Sequence, residues 1–274
     1  MGNAEDSAGE TPGPAGTIAW RRIGSGPPLL LINGYAATGA DWDPAFLEGL
    51  AGASSVVLPD NRGMGGSTTG GTKLSVEAMA GDAVALLDGL GIESADVAGW
   101  SMGGFIAQEL ASRFPDRVDR LVLLSTDPGG DLAEPWKAGV EERLFDHSGT
   151  PQEQAHRLLG LLFPPALAED VYEKFGDLVA EAQSQLDHEV LAAQQEAIAA
   201  WAGSAAAERL ASITAPSLVA CGSEDQVIPP GNAALIADQL PDSWLARFPG
   251  GGHAVMAQEA DRLTRLINLF LNRA

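Results

Sequence analysis

Apolar residues in this chain gather in short unbroken runs that alternate with stretches of helical periodicity. Residues 29–32, 55–58, 95–100, 118–124 and 217–221 are runs of the first kind. Such runs suit central strands of a parallel sheet, buried on both faces. Residues 17–23 and 244–248 are further strand candidates. Helical patterns lie between them. One covers residues 41–50. Another opens at Ser75 as N-cap, with Val76, Met79, Ala80, Val84 and Leu87 on one stripe. A third runs from Met102 to Arg113 and stops before Pro115. The last spans about 255–271, with Leu263, Leu266, Ile267 and Phe270 at helical spacing. Strands alternating with helices predict an α/β fold, a mostly parallel sheet flanked by helices.

Residues 128–206 break the alternation and are almost free of strand signals. Thr150-Pro151-Gln152-Glu153 reads as a capping box with proline at the first helical position. A later stretch carries Leu191, Ile198 and Trp201 on one helical face. This predicts an all-helical insertion, a lid, between two sheet strands. Residues 1–16 are rich in Gly, Pro, Ala and acid and read as a flexible arm. The expected division is an arm at 1–16, a core at 17–127 and 207–274, and a helical lid at 128–206.

Composition narrows the function classes. The chain has 274 residues, 45% of them hydrophobic, enough for a sizeable core. Its 16 basic and 37 acidic residues give a net charge of −21, which repels phosphate backbones and makes nucleic acid an unexpected partner. The single cysteine, Cys221, excludes an internal disulfide and a cysteine-rich metal site. The first residues have no basic and apolar signal pattern, and no apolar run reaches membrane-span length. A soluble cytoplasmic protein, monomer or homodimer and not bound to membranes, is expected.

The candidate chemistry centres on Gly99-Trp100-Ser101-Met102-Gly103, between a predicted strand and a predicted helix. A strand that turns at once into a helix sets its turn residue on a strained, exposed tip. The helix start there favours negative charge. A serine nucleophile needs a base within hydrogen-bond reach, and the base needs an orienting acid. Of the four histidines, His147, His156 and His188 fall in the helical insertion. His253 follows the last strand in a glycine-rich loop and is the base candidate. Asp225, just past the strand at 217–221, is the acid candidate, and Asp127 after the strand at 118–124 is its rival. Oxyanion donors are expected from the backbone N–H of Met102 and from that of Tyr35, in the Asn33-Gly34-Tyr35 loop.

Several motifs together resemble the α/β-hydrolase fold family. Gly-Trp-Ser-Met-Gly-Gly is similar to its nucleophile elbow, and Ser101, Asp225, His253 follow its chain order. Asp60-Asn61-Arg62-Gly63-Met64-Gly65-Gly66-Ser67, Gly222 to Pro229, and Gly252-His253 are similar to further family segments. One departure is Asn33-Gly34, where many members have His-Gly. The resemblance implies a serine hydrolase of the esterase, lactonase or haloperoxidase-like branch, acting on a small-molecule acyl substrate without a metal or other cofactor. Serine at the elbow argues against the epoxide hydrolases and haloalkane dehalogenases, which use aspartate there. C–C hydrolases, perhydrolases and acyltransferases share the scaffold, and some relatives are slow or inactive ligand receptors. Gly34 and Trp100, near the reacting centre, and Trp136, Leu162, Phe163 and Trp201, in the insertion, are candidate pocket residues.

Overall fold

The computed structural model describes residues 6–272. Eight strands form one sheet: β1 (Ser7–Gly13), β2 (Gly16–Ile23), β3 (Pro28–Ile32), β4 (Ser55–Pro59), β5 (Ala95–Trp100), β6 (Val118–Leu124), β7 (Ser217–Gly222) and β8 (Ser243–Phe248). Their order is β1-β2-β4-β3-β5-β6-β7-β8. β2 pairs antiparallel with both β1 and β4, and every pairing from β4 to β8 is parallel.

Successive residues of the central strands feed opposite faces, as the two-residue period of a strand requires. Leu30, Ile32 and Val57 enter one core, while Leu29, Leu31, Val56 and Leu58 enter the other. Both cores are filled by helices. In chain order these are α1 (Pro44–Ala51), α2 (Val76–Gly89), α3 (Met102–Arg113), α4 (Val140–Leu144), α5 (Pro151–Leu162), α6 (Pro165–Ser184), α7 (His188–Ala202), α8 (Gly231–Gln239), α9 (Val255–Gln258) and α10 (Ala260–Leu271). α2 and α3 line the first core, and α1 and α10 line the second.

The local signals act where they stand. The Ser75 hydroxyl accepts the Ala78 N–H at the start of α2. Thr150 and Glu153 form the reciprocal capping box that opens α5. Asp43 caps α1, so that helix begins at Pro44, later than the pattern at 41–50 suggests. The pattern at 255–271 is split between α9 and α10 at Glu259. Residues 128–206 hold α4 to α7 and a short 3₁₀ segment, Gly130–Leu132, and a second 3₁₀ segment, Ala206–Ser212, begins where the range ends.

The expected flexible arm is corrected. Residues 1–5 lie outside the described residues, but Ser7–Gly13 is a paired edge strand, in register with β2 from Ser7↔Arg22 to Gly13↔Gly16. Thr11 is buried, and its hydroxyl accepts the Trp20 indole N–H at 3.0 Å. An edge strand has one row of unpaired backbone, so small residues and even Pro12 fit it without apolar alternation. That composition is also the composition of a loop, which is why the pattern misleads here.

The segment after β4 is built from polar side chains. Asp60 accepts the N–H of Gly39 at 2.9 Å and of Gly66 at 3.0 Å. Ser67 donates to the Asp60 carbonyl and accepts the Ala19 N–H. Arg62 makes a two-point contact with Asp82 of α2, at 2.8 and 2.6 Å, and both side chains are nearly buried. The Asp60 to Ser67 motif thus acts as a brace between the sheet and the loop after β3.

Candidate active site

The parallel strands deliver the site residues to one edge of the sheet, the carboxyl edge. Ser101 follows β5 with φ 55° and ψ −121°. Two close approaches force this turn. A Cβ on Gly99 would lie 2.2 Å from the Gly103 carbonyl, and one on Gly103 would lie 2.2 Å from the Ile32 carbonyl. Only hydrogen fits at either place, so β5, α3 and β3 close on one another around the serine. The Ser101 N–H donates to Leu124 of β6, and the Thr126 hydroxyl donates to the Ser101 carbonyl. The backbone of the serine is therefore fixed from both sides.

Asp225 and His253 come from the loops after β7 and β8. Both are buried, at 2% exposure each. His253 Nδ1 lies 2.8 Å from Asp225 Oδ2 and 3.1 Å from Oδ1. A carboxylate can only accept, so Nδ1 carries the proton and Nε2 presents its lone pair. Asp225 is itself held, because its Oδ1 accepts the N–H groups of Val227 and Ile228 at 2.9 Å. The backbone of His253 is joined to the elbow by Trp100, whose indole N–H donates to the His253 carbonyl at 3.0 Å. The two rings lie 5.3 Å apart.

Asp127 is placed elsewhere. It is buried, and its Oδ1 accepts the Gly129 N–H at 2.9 Å. Burial pushes its carboxyl up to about 6, against the opposing pull of the Gly129 N–H and the indoles of Trp136 and Trp201. It faces the inserted helices, and Asp225 takes the histidine.

The expected oxyanion donors flank the serine. Met102 opens α3, so its N–H has no acceptor within the helix. Gly34 lies against the elbow: a Cβ there would stand 3.0 Å from the Trp100 ring and 3.3 Å from the Ser101 Cβ. Tyr35 follows it. Asn33 is buried, donates to the Pro59 carbonyl at 2.9 Å and accepts from Asn61 at 3.0 Å. The asparagine that departs from the His-Gly pattern thus ties this loop to the loop after β4.

The inserted helices reach the site from two sides. At the turn after α5, the Leu162 carbonyl accepts the Ala254 N–H and the Phe163 carbonyl accepts the Gln226 side chain, both at 3.0 Å. These bonds hold the loops that carry His253 and Asp225. On the other side, Trp201 of α7 stacks on Phe105 of α3, with centroids 5.3 Å apart. Trp136 packs on Phe145 at 5.9 Å. Trp201, Leu162 and Phe163 are therefore packing and docking residues, whatever else they touch. His156 is exposed beside Glu169, and His188 lies 5.8 Å, ring to ring, from His147.

Ser101 is not alone in its strain, and Ala36 and Ser125, which share it, gave no signal in the sequence. Ala36, Ser101 and Ser125 are the positive-φ residues other than glycine among the described residues. All three stand beyond the carboxyl ends of the neighbouring strands β3, β5 and β6. Strain of this kind gathers where function demands a fixed backbone. His147 was also inconspicuous. Its Nε2 lies 2.7 Å from the Tyr35 hydroxyl, and burial and the neighbouring His188 lower its pKa.

A strained serine at a helix start, beside a buried histidine–carboxylate pair, is the arrangement of an α/β-hydrolase-type site. Residues 27–260 match the family model described as the alpha/beta hydrolase fold, and the chain belongs to that family. The chain is 30% identical over 248 residues to a putative carbamate hydrolase, RutD, of Azorhizobium caulinodans, covering 89% of this chain and 91% of that protein. It is 30% identical over 241 residues to a pimeloyl-[acyl-carrier protein] methyl ester esterase of Chromobacterium violaceum, covering 85% and 89%. The solved enol-lactonase of Burkholderia xenovorans LB400 superposes with a TM-score of 0.83 at 22% identity, covering 97% of this chain and 100% of that one. Among the described residues, no helix is long and apolar enough to cross a membrane, and no group of three or more His, Cys, Asp or Glu could hold a metal ion.

Proposed function

We propose that the protein is a hydrolase that cleaves a carboxylic ester, lactone or related acyl bond through an acyl-enzyme on Ser101. The observation that carries this reading is the buried His253–Asp225 pair, 2.8 Å apart, joined through Trp100 to the strained Ser101. His253 Nε2 takes the Ser101 proton as the hydroxyl attacks the substrate carbonyl. The tetrahedral oxyanion rests on the N–H groups of Met102 and Tyr35, fixed before charge develops. The leaving group departs with the proton from His253. Water, activated by the same nitrogen, then releases the acid. Asp225 keeps the imidazole in the required tautomer and stabilises its charged form.

The relatives support the bond class. A carbamate, a methyl ester and an enol lactone all present an acyl carbon open to a serine nucleophile. The inserted helices at 128–206, docked beside both His253 and Tyr35, are proposed as the lid that selects among acyl groups. Hydrolysis of p-nitrophenyl acetate and butyrate tests the reading. Turnover is expected in the wild type and a loss of several orders of magnitude in Ser101→Ala, with the melting temperature unchanged. A residual rate within about tenfold of wild type would remove Ser101 from the nucleophile's role. Ligand-induced stabilisation without turnover would favour a receptor-like protein instead.

A further inference from the structure

The loop that carries Tyr35 is held by the inserted helices as well as by the sheet. Ala36 has φ 56°, a left-handed conformation that costs a residue with a Cβ about 1–2 kcal/mol. Such a conformation persists only when its surroundings fix it. The Ala36 N–H donates to Gln194 Oε1 of α7 at 3.0 Å. Gln194 is fully buried, at 0% exposure, and its Nε2 has no hydrogen-bond partner among the described residues. The amide orientation is therefore dictated by Ala36, because the flipped amide would set one N–H against another.

The next residue of α7 holds the next residue of the loop. Gln195 Nε2 donates to the Tyr35 hydroxyl at 2.8 Å, and that hydroxyl also pairs with His147 at 2.7 Å. Adjacent helix positions point about 100° apart, so one glutamine faces inward and its neighbour stands at the rim. The side chain of Tyr35 and the backbone of Ala36 are thus gripped by two consecutive glutamines. The Tyr35 N–H lies between these two grips, and no backbone acceptor takes it among the described residues.

We propose that Gln194 and Gln195 are positioning residues that aim the Tyr35 N–H at the substrate carbonyl, so that α7 of the insertion completes the oxyanion hole. The proposal rests on the reading of Ser101 as nucleophile and Tyr35 as oxyanion donor. Neither glutamine touches the reacting atoms. Movement of α7 away from the loop would release Ala36 and disarm the site without disturbing the Asp225–His253 pair.

The test compares Gln194→Leu, Gln194→Glu and Gln195→Leu on p-nitrophenyl butyrate. It adds two binding measurements: phenylboronic acid, which forms a tetrahedral adduct on a serine nucleophile, and butyrate, the product. Gln194→Leu is expected to lower kcat by about ten- to a hundredfold, since a misplaced donor costs somewhat less than a deleted one. KM should stay within about threefold, boronate affinity should fall with kcat, and butyrate affinity should not. Gln194→Glu keeps an acceptor oxygen, and with its buried carboxyl protonated it gives up only an N–H that has no partner, so its rate should exceed that of Gln194→Leu. Gln195→Leu, at a half-buried position, should lose about three- to tenfold in kcat and decides the matter if Gln194→Leu does not fold. Wild-type kcat and boronate affinity in the leucine variants would overturn the proposal. So would a change confined to KM. If the wild type hydrolyses no ester, the underlying reading falls and this proposal with it. If the wild type turns over and the leucine variants match it, only this proposal falls.

Discussion

Two buried aspartates stand beyond adjacent strands, and their surroundings give them different work. Asp225 is held by two backbone N–H groups and faces His253. Asp127 faces indoles and a glycine N–H. Asp225→Asn should favour the wrong imidazole tautomer and lower kcat by about 10⁴, while Asp127→Asn keeps most of the wild-type rate, as steady-state kinetics on a p-nitrophenyl ester will show. Asp127 leaves its mark on stability instead. Its folded pKa of about 6 lies above the 3.8 of an ordinary aspartate. Between those values the folded state holds a proton that the unfolded state has lost, so this group's stabilising contribution is full at low pH and is lost as pH rises toward 6. Asp127→Asn should therefore melt higher than wild type at pH 7, with the difference vanishing near pH 4. A difference that grows toward acid would contradict the assignment. The triad candidates were legible in the sequence because each sits in a local pattern of glycines and strand ends. The contacts of Gln194, Gln195 and His147 were not, since a glutamine on an amphipathic helix carries no sign of the distant loop it will meet.

At the scale of elements, the runs of consecutive apolar residues predicted the parallel strands because burial on both faces leaves a composition that little else produces. β1 escaped notice because an edge strand needs no such composition. Its pairing with β2 and the Thr11–Trp20 bond imply that it contributes to stability. Removing residues 1–13 should lower the melting temperature and expose the β2 edge, with kcat on p-nitrophenyl butyrate little changed. An unchanged melting temperature would return the segment to the status of a loose arm. The brace after β4 makes a larger claim. Asp82→Ala leaves the Arg62 guanidinium buried without its carboxylate, and breaking such a pair costs roughly 3–5 kcal/mol. Chemical denaturation should show that loss, whereas Arg265→Ala, at an exposed pair with Asp261, should change stability by well under about 1 kcal/mol.

Over the whole molecule, strand order does most of the assembly. β3, β5, β6, β7 and β8 lie side by side, so loops far apart in sequence meet at one edge of the sheet. The insertion leaves after β6, returns before β7, and grips the site on both flanks through Leu162, Phe163, Gln194 and Gln195. Hydrogen exchange should find α6, with Leu167, Phe175 and Leu178 exposed, opening more readily than α7, whose Leu191, Gln194 and Trp201 are buried. Ser101 Oγ is proposed as the atom that becomes acylated. The most direct measurement is peptide mass spectrometry after treatment with a fluorophosphonate, which modifies activated serines. Modification is expected at Ser101, greatly slowed in His253→Ala, absent in Ser101→Ala, and in step with the loss of ester hydrolysis. An unmodified Ser101 in protein that still hydrolyses esters, or modification at Ser125 in its place, would contradict it.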